Sequence, residues 1–184
     1  MRELALHVMD IMENGLDAGA DLLTVSICED RERNLLEIDI ADNGRGMDAE
    51  TLERALNPFF TTRKTRRVGL GLSLLREACR RCGGDMEVRS APGEGTRVKA
   101  SFQADHIDLA PMGDVGGALT TLIMGNHHVN IVYTHRVGDR VFEVDTREMR
   151  EELEGVALNH PDVILFLRDT IRQGIRRVCG AQKG

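Results

Sequence analysis

Residues 34–47, NLLEIDIADNGRGM, constrain this chain more than any other stretch. An apolar strand (Leu35, Leu36, Ile38, Ile40) runs into a turn carrying Gly44 and Gly46. The strand end fixes one carboxylate, Asp42, and the glycines let backbone come close to whatever Asp42 holds. The same residues also read as a plain hairpin, since Asn-Gly is a common turn signal. Only the rest of the chain can decide between the two.

At 184 residues and 41% apolar content, the chain suits one domain, or one ordinary domain plus a small appendage. With no Trp and one Tyr, the core must come from Leu, Ile, Val and Met. The net charge of −6 supplies no basic field to recruit nucleic acid or an anionic membrane. No apolar run approaches the ~18 residues that a spanning helix needs, and the N-terminal stretch lacks a secretory pattern. The expectation is a soluble, cytoplasmic protein. Cys28, Cys79, Cys82 and Cys179 are too scattered for a disulfide framework. The CxxC at 79–82 lies within a helical pattern without a second ligand pair, so it reads as structural thiols.

Residues 2–18 read as a helix with Leu4, Val8 and Ile11 or Met12 in an apolar stripe. Asp10, Asn14 and Asp17 share one of its faces by i, i+4, i+7 spacing. Such a row is costly to bury unless something satisfies it, and a solvated face is the simpler reading. A strand, DLLTVSICED, precedes the opening one. Asp48 then caps a short helix that Pro58 ends. Residues 61–68 hold Arg63, Lys64, Arg66 and Arg67 in an otherwise acidic chain, and Gly69 and Gly71 start the next helix. Glycines at a helix N-terminus behind a basic loop make an anion site, because free N–H groups and the helix dipole both favour phosphate. A basic loop at a tight turn is the alternative. A hairpin follows, with strands near 86–90 and 97–102. This order predicts a two-layer α+β sandwich.

Four motifs therefore occur in sequence: DIMENGLDAGA, DNGRGM, NPFFTTRKTRRVGLGLSLL and SAPGEGTRVKASF. Over about residues 1–104 they resemble the GHKL superfamily, the Bergerat-type ATP-binding domain of gyrase-type enzymes, Hsp90 chaperones, histidine kinases and MutL proteins. ENGLDAGA looks like MutL, whereas the GLGLS, GG and GEGT succession looks closer to histidine kinases. The resemblance implies ATP and Mg2+ as cofactors. It makes Asn14 the Mg2+ ligand, an oxygen donor suited to that ion, and puts Asp17 among the nucleotide-binding residues. Asp42 would accept from the adenine amino group, supported by Thr96, with Gly44, Gly46 and Met47 shaping the base pocket. Thr61, Thr62, Arg63, Lys64, Gly69, Leu70, Gly71 and Leu72 would form the lid and phosphate cradle.

The chain also departs from the family pattern. Asp10 stands where hydrolysing members carry a Glu that activates water; as a base it is one methylene shorter. Arg67-Val68 replaces a further glycine of the phosphate loop, and the lid is short. No dimerising hairpin with a phospho-accepting His precedes the first motif helix, so a stand-alone module is expected. His7, on the nucleotide-side helix, is a poor acceptor.

Residues 105–184 read as a small αββαα segment of no recognised family, packing as its own unit or against residues 1–104. Its helix near 146–156 has Thr146 available as a cap. His127, His128 and His135, without matching carboxylates or thiols, read as ordinary strand residues rather than metal ligands. Partner binding or sensing is the expected role. Functionally, the leading expectation is an ATP- and Mg2+-binding protein of the kinase-like branch, transferring phosphate to an unidentified protein partner. A non-catalytic, ATP-gated binding module is the alternative, and a slow MutL-like ATPase the third.

Overall fold

The computed structural model describes residues 3–57 and 71–180. Among these, one mixed sheet of six strands runs in the order β3-β4-β2-β1-β5-β6. Its strands are β1 (Leu22–Asp30), β2 (Leu35–Asp42), β3 (Met86–Ala91), β4 (Gly95–Gln103), β5 (Asn130–Val137) and β6 (Arg140–Asp145). The helices are α1 (Leu4–Asp17), α2 (Ala49–Leu56), α3 (Gly71–Arg81), α4 (Val115–Gly125), α5 (Thr146–Glu152) and α6 (Pro161–Cys179). The α+β sandwich and the strands and helices read from the sequence are all present.

Alternation along the strands sorts residues to two faces. Leu23, Val25 and Ile27 of β1 pair in register with Asp42, Ile40 and Ile38 of β2. Those apolar side chains are buried, as are Val98, Ala100 and Phe102 of β4 and Ile131 and Tyr133 of β5. The helices cover this face. On the other face, Arg97 pairs with Asp39 at 2.7 Å and Lys99 with Glu37 at 3.0 Å. These partly exposed pairs keep a bare sheet face soluble and add little stability.

Residues 105–180 extend this same sheet. β5 runs parallel to β1, with Leu22 opposite Asn130 and Glu29 opposite Val137, and β6 returns antiparallel beside β5. A parallel pair needs a crossover, and the segment containing α4 supplies it. The same segment closes the start of α1: Leu4 N donates to the Pro111 carbonyl at 3.0 Å and Ala5 N to that of Met112 at 2.8 Å. The first N–H groups of a helix have no partner within it, so these carbonyls satisfy what would be orphan donors. One apolar cluster then runs from Leu4 and Met12 through Ile38 and Leu75 to Leu119, Tyr133 and Leu167.

The cap of α5 differs from expectation. Asp145 accepts from Arg147 N, while the Thr146 hydroxyl is buried and accepts from Ile131 N at 2.8 Å. Thr146 ties the helix to β5, and the preceding carboxylate takes the capping role. The helix end read at Pro58 lies outside the described residues. Cys79 and Cys82 are both buried, and burial pushes the Cys79 thiol up to about 12, as suits an inert packing residue.

Candidate nucleotide site at the end of the sheet

Asp42 is the last residue of β2 and sits in register between Leu23 of β1 and Thr96 of β4; Thr96 in turn faces Ser90 of β3. Residues paired in register project to one face. The row Asp42–Thr96–Ser90 therefore lies on the helix-covered face, where the cover ends.

Glycine makes that placement possible. A Cβ on Gly15 of α1 would come within 2.9 Å of the Asp42 Cβ and of a Leu23 methyl, so only glycine lets the helix lie over the carboxylate. Gly46 and Gly95 adopt φ of +65° and +77°, a region L side chains avoid. A Cβ on Gly46 would run into the Ala91 carbonyl, and one on Gly95 into that of Asp42. The 43–47 loop is thus laid directly on the β3–β4 turn.

Hydrogen bonds lock the contact. Gly93 N donates to the Arg45 carbonyl at 2.8 Å, and Met47 N to Ser90 Oγ at 2.9 Å. Asn43 Oδ1 accepts from Asp21 N and Leu22 N, both at 3.0 Å, pinning the loop to the start of β1. Asp42 Oδ1 accepts from Gly44 N at 2.8 Å, which sets the carboxylate's rotation.

The proton count of the row defines what it can bind. Ser90 Oγ has one proton and lies 2.8 Å from the Gly95 carbonyl, which can only accept. Its 2.9 Å contact with Thr96 Oγ1 is then donated by Thr96. Thr96 is left with acceptor capacity beside the Asp42 carboxylate. Two acceptors side by side at a sheet end fit a ligand that presents N–H donors. An open cleft at this end of the sheet is lined by Asp42, Ser90, Gly95 and Thr96 together with Ala41, Arg89, Ala91 and Arg97 of the neighbouring positions.

Toward α3 the chemistry changes. Asp10 and Asn14 are half-buried on successive turns of α1, and Asp17 is exposed, its carbonyl accepting from Arg45 Nη1 at 3.1 Å. The Asp10 carboxylate occupies the space a Cβ on Gly71 would fill. It stands against the first residue of α3, where the helix dipole favours negative charge. Leu72 points into the core. Thr61, Thr62, Arg63, Lys64, Gly69 and Leu70 lie outside the described residues.

The structure thus brings together Asp42, Thr96, Gly44, Gly46 and Met47, and sets Asp10, Asn14 and Gly71 at the α1–α3 contact. It adds Ser90, Asn43 and Gly15, which sequence reasoning missed. Ser90 stands in the SAPGEG motif, and only the register of β3 on β4 shows that it faces Thr96.

A mixed sheet with helices on one face, ending in a carboxylate–hydroxyl row backed by glycines, is the architecture of an α+β ATP-binding sandwich. Residues 2–106 match the family of histidine kinase-, DNA gyrase B- and HSP90-like ATPases, more than half of the chain, and the protein belongs to that family. Membership implies an ATP-binding site. A putative sensor protein of Shewanella frigidimarina is 41% identical over 38% of this chain, which covers 11% of that relative. The sensor histidine kinase YxdK of Bacillus subtilis is 32% identical over 45% of this chain and is itself covered over 26%. The chain therefore spans about a quarter or less of these relatives. Among solved structures, the ATPase domain of Aquifex aeolicus MutL complexed with ADP superposes with a TM-score of 0.51 at 16% identity, over 84% of this chain and 68% of that one. The N-terminal domain of a DNA repair protein gives 0.56 at 15% identity, over 79% of this chain and 52% of that one. Both share the fold. No helix among the described residues is long and apolar enough to cross a membrane.

Proposed function

We propose that this protein binds ATP with the adenine at Asp42 and Thr96, and delivers the γ-phosphoryl group to a separate protein partner, releasing ADP. The carrying observation is the acceptor row. Asp42 uses Oδ1 on Gly44 N, so its other oxygen is placed to accept from an exocyclic amine, with Thr96 beside it. Guanine, which presents a carbonyl at that position, would meet two acceptors and be rejected. The phosphates would extend toward α3, and Thr61, Thr62, Arg63, Lys64, Gly69, Leu70 and Gly71 would close over them.

The donors present suit magnesium. Asn14 offers a neutral amide oxygen on the half-buried edge of α1, one turn from the Asp10 carboxylate, and hard oxygen donors are what this ion takes. When bound, Mg2+ neutralises phosphate charge, the main requirement of phosphoryl transfer. Asn14 would hold it, with Asp17 flanking the site and Asp10 the candidate base. Residues 105–180 would supply the surface for the partner.

One observation favours a second reading. The Asp10 carboxylate is packed against Gly71 at the start of α3, an anchoring position rather than one aimed at open solvent. On that reading the protein is an ATP-gated binding module. Incubation with labelled ATP and candidate partners separates the two. Label on a partner protein supports transfer; tight ATP binding with label on none supports the gate. Asn14→Ala should abolish the Mg2+ dependence of ATP affinity, and a variant still dependent on Mg2+ would remove Asn14 from the metal role.

A further inference from the structure

At the opposite end of β1 from Asp42, three side chains distant in sequence converge. Glu29 is near the end of β1, His135 lies on β5, and Cys179 is the last residue of α6. His135 is fully buried, while Glu29 and Cys179 are half-buried. His135 Nε2 stands 3.3 Å from Glu29 Oε1 and 3.9 Å from Cys179 Sγ, and all three polar atoms lie within 4.8 Å of one another. On the other side of the ring, Nδ1 is 2.7 Å from the hydroxyl of Tyr133, which is also fully buried.

We propose that Glu29, His135 and Cys179 form a binding site for a divalent transition metal of the zinc class, with Tyr133 orienting the imidazole. The spacing carries the argument. Tetrahedral zinc, with Zn–N and Zn–O near 2.0–2.1 Å and Zn–S near 2.3 Å, sets N···O edges of about 3.3 Å and N···S edges of about 3.6 Å. The observed edges are 3.3 and 3.9 Å. A direct charge-assisted bond between imidazole and carboxylate would close to about 2.7–2.9 Å. This pair instead stands at the separation two ligands of one ion keep.

The donor set points the same way. A thiolate with an imidazole selects zinc or cobalt over magnesium or calcium, which prefer oxygen throughout. Three protein ligands leave a fourth position for water, toward the half-exposed side between Glu29 and Cys179. The outer shell is in place. Tyr133 can accept from Nδ1–H and so hold Nε2 unprotonated for the ion. Arg31 donates to the Cys179 carbonyl at 3.3 Å and Arg140 to that of Arg177 at 3.3 Å, fixing the end of α6 over the sheet. Leu23, opposite Asp42, is six residues from Glu29, so this site lies about 20 Å from the adenine end. It is not part of the nucleotide pocket.

The test is a Co2+ titration of the full chain, followed by zinc. The expected result is one Co2+ per chain with a thiolate-to-cobalt charge-transfer band that zinc abolishes. Cys179→Ser should remove the band and Cys28→Ser should retain it. Tyr133→Phe should weaken Co2+ affinity about 10- to 100-fold, the usual effect of losing an outer-shell partner. Circular dichroism of each variant separates loss of the site from loss of the fold, and Glu29→Gln, at a half-exposed position, gives a second variant that should bind more weakly. Absence of the band in the unaltered chain, or a band that survives Cys179→Ser, overturns the proposal.

Discussion

The two ends of β1 hold polar groups in opposite ways. At the Leu23 end, Asp42, Thr96 and Ser90 form an open row whose geometry is set by backbone, through Gly15, Gly46 and Gly95. At the Glu29 end, Tyr133 and His135 are sealed in the core and held by one another's side chains. An open row can exchange its partners for a ligand at little cost. A buried chain cannot, because each unmet polar atom there costs about 1–3 kcal/mol. The first arrangement suits reversible capture of a nucleotide; the second suits permanent structure or a tightly held ion.

The largest expected effect tests α1, the helix laid over the Asp42 end. His7 of α1 is 4% exposed, its Nδ1 has no hydrogen-bond partner, and burial lowers its pKa from 6.5 to about 4. The unfolded chain binds this proton more readily than the folded one, so the stability due to neutral His7 is fully present above pH 6.5 and is lost as pH falls to about 4. A shift of this size corresponds to about 3 kcal/mol. Urea unfolding across that window should show the slope, and His7→Leu should flatten it.

Gly95→Ala comes next. It forces a side chain into positive φ and against the Asp42 carbonyl, and should cost more than about 2 kcal/mol while also weakening nucleotide binding. A shift in the urea midpoint without any change in nucleotide affinity would detach the turn from the site. Asp42→Asn should then lower ATP affinity about 10- to 100-fold, the worth of a charge-assisted hydrogen bond, with unchanged melting, since an amide can still accept from Gly44 N. Unaltered affinity by calorimetry would sink the adenine assignment. Smallest is Tyr133→Phe, which strips a hydrogen bond from buried His135 and should cost about 1 kcal/mol of stability with no change in ATP affinity. If ATP affinity falls as well, the two ends are coupled and the contrast between them fails.

Much of the adenine end was legible in the sequence because its signals are local. Asp42, Gly44 and Gly46 lie within five residues, and strand alternation announces which face Asp42 shares with Ile40 and Ile38. What could not be read was pairing at a distance. Ser90 joins the row only through the register of β3 on β4. Of the three histidines read as strand residues only His135 lies on β5, His127 and His128 standing in the turn before it; His135 looked ordinary because Glu29 lies 106 residues before it and Cys179 lies 44 after it. Asp145 displaced Thr146 as a cap because burial of the hydroxyl against β5 was a tertiary fact. At the phosphate end, the lid residues Thr61 to Leu70 rest on the sequence alone.

The parallel pairing of β1 with β5 also bears on how the chain is made. Leu22 must wait for Asn130, more than a hundred residues later, before that side of its strand is occupied. Contacts of such separation slow folding, since loop closure precedes the reward. Until β5 arrives during synthesis, β1 is an unguarded edge carrying Val25 and Ile27, open to pairing with a neighbouring chain. A protein cut after residue 104 would keep that edge for good, and light scattering should show it clumping where the full chain stays monodisperse.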